Sequence, residues 1–183
     1  MPPAWNGNGS AFAICAPMSL IGYRWWYAAV RPAEGWRLRS VIREVWWDGP
    51  HLTASAPPEL GSGCGVHAFN TWSLAVRAAK QLEEFPCERS YPVLEAVALW
   101  GKVVEHERGF RAEHALVRQL WVPERILLTV RRPGGPFFCL MDVVEDEPAP
   151  EERTPEPEMG RALARLYGVD VELDPTLVPQ MVG

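Results

Sequence analysis

Two short stretches concentrate the side chains that do chemistry. The first is Glu105-His106-Glu107-Arg108-Gly109-Phe110-Arg111-Ala112-Glu113-His114. Read as a hairpin tip, it sets cross-strand neighbours about 5 Å apart. Glu105, His106, Arg111 and Glu113 then form a charged network, in which His106 beside two carboxylates would be the base near neutral pH. His106, Glu107 and His114 do not make the zinc-protease pattern, whose two histidines stand four apart on a helix. Here they flank a turn. The second stretch is Gly61-Ser-Gly-Cys64-Gly-Val-His67. Cys64 and His67 are spaced like two zinc ligands, but a closed site needs four, and His51, Cys87, His106 and His114 are scattered singly. As a nucleophile, Cys64 would need an imidazole and a third, orienting group. The candidates are His67, His106 and Glu113. Neither stretch completes a catalytic or metal motif, so no catalytic residue, metal or cofactor is assigned.

A third group is a set of arginines, Arg24, Arg37, Arg39, Arg43, Arg131 and Arg132, interleaved with Trp25, Trp26 and Trp47. Arginine beside exposed aromatic rings is how single-stranded nucleic acid is held, by backbone charge and base stacking. The binding candidates are therefore Arg24, Arg37, Arg39, Arg43, Trp47, His106, Glu107, Arg111 and Glu113.

The elements that must position these groups follow from periodicity. Ser19–Val30 and Trp36–Trp47 read as strands joined by Arg31-Pro-Ala-Glu-Gly35. In the second, period 2 sets Trp36, Leu38, Ile42 and Trp46 on a core face and Arg37, Arg39, Val41, Arg43 and Val45 on the other. Asp48 to Gly65 reads as a loop. Asn70 or Thr71 caps a helix from Trp72 to about Phe85, which Pro86 stops. Val93–His106 is apolar in both registers and should be buried on both sides. Gly109 is expected to supply a positive φ to the turn before Phe110–Trp121. Ile126–Arg132 and Phe137–Val144 read as a last hairpin. Glu158–Gly168 carries Met159, Ala162, Leu163, Leu166 and Tyr167 on one helical face, with Gly168 as C-cap. The expected fold is α+β: a strongly curved antiparallel sheet or small β-barrel of about six strands, with one central helix and a C-terminal helix. The expected divisions are an N-terminal extension (1–18), one domain (19–144), an acidic Pro-rich linker (145–158) and a C-terminal helix and tail (159–183).

Composition sets the outer limits. The chain has 183 residues, 48% apolar and 22% charged, with 9 Trp and a formal charge of −5. That excludes collagen, coiled coil, full disorder and a disulfide mini-protein. Seven acids, one arginine and four prolines fall within 145–158. The acidity thus belongs to that segment, and the remainder is near neutral, which removes the simplest objection to an anionic partner. Sixteen Arg against two Lys reads as a GC-rich coding genome. Cys15, Cys64, Cys87 and Cys139 form no CxxC pair and read as thiols of a reducing compartment. No stretch reads as a membrane span or signal peptide, so a cytoplasmic protein is expected.

Gly22-Tyr-Arg-Trp25, Leu38-Arg-Ser40, Cys64-Gly-Val-His-Ala68 and, most specifically, Leu99-Trp-Gly-Lys-Val-Val-Glu-His-Glu-Arg-Gly-Phe-Arg-Ala-Glu113 resemble a family of uncharacterised proteins of GC-rich bacteria and their mobile elements. The resemblance covers roughly residues 20–120. It implies that Cys64, His67, His106, Glu107, Arg111 and Glu113 lie in one place, and it supplies no mechanism. Relatives often carry a second Cys two positions before that of Cys64, where this chain has Ser62. Three functions stay open. The first is a non-enzymatic interaction or accessory module of a bacterial complex, with the acidic linker and terminal helix as a partner-binding arm. The second is a nucleic-acid-associated accessory protein of a mobile element or defence system. The third is a small hydrolase or transferase using Cys64 or His106. The balance favours a protein partner and no enzyme.

Overall fold

A computed structural model describes residues 12–15, 19–41, 45–59, 61–79, 90–129, 151–177 and 180–182. Arg43, Lys80 to Phe85, Cys87, Arg131, Arg132, Phe137–Val144, Cys139 and 145–150 lie outside the described residues. The elements are β1 (Phe12–Cys15), β2 (Leu20–Arg31), β3 (Gly35–Ser40), β4 (Trp46–Trp47), β5 (His51–Thr53), β6 (Val66–Phe69), α1 (Trp72–Ala78), β7 (Ser90–His106), β8 (Gly109–Pro123), β9 (Ile126–Thr129), β10 (Glu151–Arg153), α2 (Pro157–Tyr167), β11 (Val171–Asp174) and β12 (Gln180–Val182). Fold class is α+β.

Among the described residues the main sheet has nine strands rather than about six, and a second sheet of three is ordered β10-β9-β12. Two long strands organise the larger one. β7 pairs β2 along Leu20–Ala29 and pairs β8 over most of its length. The far edge of β8 is shared in turn by β6, β5 and β11, and the far edge of β2 by β6 and β3. Because β6 touches both β8 and β2, the strands β2, β7, β8 and β6 close into a circuit, sealed at Tyr23↔Phe69. The expected six-strand barrel is thus a four-strand circuit with short strands along its margins. Short strands such as β4, β5 and β11 carry too few residues to show an alternation.

Close backbone approach makes the circuit possible. A Cβ on Gly22 would meet the Ala68 Cβ at 2.7 Å, and one on Gly109 would meet the Ala68 carbonyl oxygen at 2.1 Å. Gly109 does not adopt the expected positive φ. It is needed for proximity to β6 rather than for turn geometry.

Both faces of β7 from Ser90 to Leu99 are buried. On one side α1, capped by Thr71, receives the Trp25 Nε1 donor on the Ala75 carbonyl at 2.7 Å, and Trp72 meets Trp121 edge-on at 4.7 Å. On the other lies the core of Trp26, Leu38, Trp47, Val97 and Leu120. At the end away from the seal, β3 and β11 diverge and α2 packs on both. Its Met159, Leu163 and Tyr167 are buried. The Tyr167 hydroxyl accepts the Leu38 amide at 2.9 Å and donates to the Trp47 carbonyl. The core is therefore covered by two helices rather than by one central helix, and α2 is an integral wall rather than a free arm. Likewise Phe12–Cys15 of the N-terminal extension pairs with β7, and Glu151–Arg153 of the acidic segment pairs with β9. Among the described residues, no helix is long and apolar enough to cross a membrane.

Candidate functional site

The two chemistry-bearing stretches meet at the sealed end of the circuit. His67 on β6 stands opposite Arg111 on β8, Val104 on β7 stands opposite the same Arg111, and His106 stands opposite Gly109. Opposed residues share a face, so His67, Arg111 and His106 project together. Arg111 Nε donates to His106 Nε2 at 2.7 Å and Arg111 Nη2 donates to the Glu59 carbonyl at 3.2 Å. His67 Nε2 donates to the Gly63 carbonyl at 3.1 Å. The loop between is closed by Ser62, whose hydroxyl bonds both the amide and the carbonyl of Glu59 and accepts the Cys64 amide. Ser62 thus has a local task in closing this loop. Cys64 itself is an exposed free thiol.

Electrostatics make this cluster cationic with neutral imidazoles. Burial, then the Arg111 charge, holds His106 below its ordinary value. His67 is lowered by burial, with Arg24 and Arg111 adding to the effect against the Gly63 bond. Arg111 is only 4% exposed. Burial lowers its pKa, and the charge interaction opposing that is with Cys64. Among the described residues, no carboxylate is ion-paired with Arg111.

Glu113 serves a different structure. Gly101 and Lys102 oppose it alone, since Trp100 pairs with His114 and Val103 with Ala112. Gly101, at φ 78°, makes this bulge possible. The Glu113 carboxylate accepts the Lys102 amide at 3.2 Å and lies 3.8 Å from His114 Nε2. His114 in turn stacks on Trp100 at 5.4 Å and bonds Thr53, while His51 meets Trp100 edge-on. Sequence reasoning missed this surface group because β5, which brings His51 and Thr53, lies in a segment read as loop. Glu107 is exposed at the turn, where its carbonyl accepts from Asn70.

The arginine set does not form one face. Arg37 and Arg39 stand opposite Ala29 and Tyr27, whereas Arg24 stands opposite Glu95 and lies on the other side of β2. There its guanidinium covers the Trp26 ring at 4.1 Å and donates to the His67 carbonyl at 3.3 Å. Trp47, a binding candidate from sequence, is buried in the core, as are Trp25 and Trp26. The segment Trp36–Trp47 is two antiparallel strands, β3 and β4, so Trp47 joins Leu38 and Trp46 joins Arg39. Trp46 is the half-exposed ring, with Arg31 and Arg39 at 5.8 and 5.7 Å from its centre.

Behind the cluster sits Glu95, 0% exposed. One carboxylate oxygen accepts the Trp26 indole N–H, and among the described residues the other has no hydrogen-bond partner. Burial pushes its pKa up to about 8 against the pull of Arg24, and burial pushes Arg24 down to about 10. No signal in the sequence marked Glu95 beyond its place in an otherwise apolar run.

Among the described residues, no group of three or more His, Cys, Asp or Glu is placed to hold a metal. Fold and site define an α+β domain with a cationic, histidine-flanked cluster at the sealed end of its sheet. No protein-family model, no curated protein and no solved structure matches this chain.

Proposed function

We propose that this chain is a non-enzymatic binding module, an accessory subunit of a larger bacterial complex, whose partner contacts the sealed end of the sheet. The observation that carries this reading is the internal bonding of the clustered groups. Arg111 takes up His106 Nε2, Gly63 takes up the His67 Nε2 proton, and Glu113 is committed to the bulge. A general base needs a ring nitrogen within reach of a substrate proton and a group to orient it. A polar patch with one exposed thiol at its rim and one nearly buried cation beneath suits recognition better. The proposed contact differs from the terminal arm expected from sequence, because the apolar face of α2 is spent on the core.

The test is co-purification of the tagged chain from the cells that make it. A stoichiometric partner should be lost with Arg111→Gln and His106→Gln, and kept with Arg37→Ala/Arg39→Ala. Retention by both cluster variants would overturn the assignment. A second reading, contact with single-stranded nucleic acid, is favoured by the Arg31–Trp46–Arg39 arrangement. It expects Trp46→Ala to abolish a gel shift on single-stranded DNA.

A further inference from the structure

Buried charges in proteins are normally paired. Arg111 departs from that rule: among the described residues its hydrogen bonds go to one neutral imidazole and one carbonyl, both of which leave its charge uncompensated. A second guanidinium, Arg24, lies against the other side of the same strand, bonded to the carbonyl of His67. The carboxylate acting on Arg24 is Glu95, which burial itself drives toward the neutral form. Both guanidinium charges act on the His67 ring. Two cations thus converge on β6, the His67 ring feels both, and the Gly61–Gly65 loop with its exposed thiol forms the rim.

We infer that Arg111, supported by Arg24 across His67, is the seat for a carboxylate side chain of an acidic partner segment. This rests on the binding-module reading and names its ligand chemistry. The Nε and Nη2 donors of Arg111 fix the guanidinium plane, and among the described residues no acceptor is bonded to Nη1, the nitrogen assigned to the incoming oxyanion. A fork held in one plane loses little freedom on accepting such a group. The acidic partner supplies the counter-charge to Arg111.

The test is a titration of the full chain, at constant ionic strength, with a blocked tetra-glutamate peptide and a blocked tetra-glutamine peptide, read by NMR of the His67 and His106 imidazoles. The glutamate peptide should give saturable shifts at both rings and the glutamine peptide none. Arg111→Gln should weaken binding at least tenfold. Arg111→Lys, which keeps the charge without the fork, should fall between. Equal response to both peptides, no saturation, or a saturable response undiminished by Arg111→Gln would overturn the inference. The peptide comparison needs no variant, so it decides even if Arg111→Gln fails to fold. The two proposals fail separately. A partner released by Arg111→Gln with no glutamate-specific response would sink the carboxylate seat alone. A partner indifferent to the cluster variants would sink the module reading.

Discussion

Glu95 illustrates how one residue can impose a pH dependence on the whole domain. Its carboxyl is raised from 4.5 to about 8 by burial. Between those values the folded state holds a proton that the unfolded chain has released. Stability from this group is therefore fully present below pH 4.5 and is lost as pH climbs toward 8. Glu95→Gln keeps an acceptor for the Trp26 indole and removes the titration. The difference in Tm between variant and wild type should shift in favour of the variant as pH rises from about 5 to 8. A difference that stays constant across that window would show that Glu95 titrates alike in both states. The same residue shows a limit of sequence reading. An isolated acid in an apolar strand looks like any solvent-facing position until the pairing partners on both edges are known.

Elements explain which parts of the chain were legible. The faces of α2 and the cap of α1 at Thr71 were readable because helical spacing and capping are local. The long strands β2, β7 and β8 were readable because alternation and apolar runs extend over many residues. The turn between β3 and β4 was not, because an apolar residue at nearly every other position hides the reversal, and the reversal exchanged Trp46 with Trp47. The meeting of Cys64–His67 with His106–Arg111 was suggested by family resemblance, while its cause, the β6–β8 pairing, is long-range. The adjoining closure of β2 on β6 depends on proximity at Gly22, where a methyl would fall 2.7 Å from the Ala68 Cβ. Gly22→Ala should cost about 1–3 kcal/mol, measured by chemical denaturation, and should weaken the seal at Tyr23↔Phe69. Unchanged stability would mean that β2 and β6 can separate freely.

At the scale of the molecule, α2 is part of the core rather than an appendage. Burying Met159, Leu163 and Tyr167 contributes about 1.5–3 kcal/mol each, a sum comparable with the net stability of an ordinary domain, about 5–15 kcal/mol. Truncation after Glu156 should therefore abolish the cooperative thermal transition seen by calorimetry and expose dye-binding apolar surface. A truncated chain with an intact transition would restore the picture of a detachable arm.

The parallel pairing of β11 with β8 and of β12 with β9 has a consequence for biosynthesis. Both are added to strands completed some fifty residues before. Until β11 and β12 are made, the stretches of β8 and β9 that they pair lack those partners, and until α2 is made the Leu38–Trp47 surface lacks the Tyr167 that covers it. Such edges are sticky, and domains with late, distant pairings spend longer in that state. A chain stopped before residue 171 should therefore keep both edges open, and it should associate at concentrations where the full chain does not.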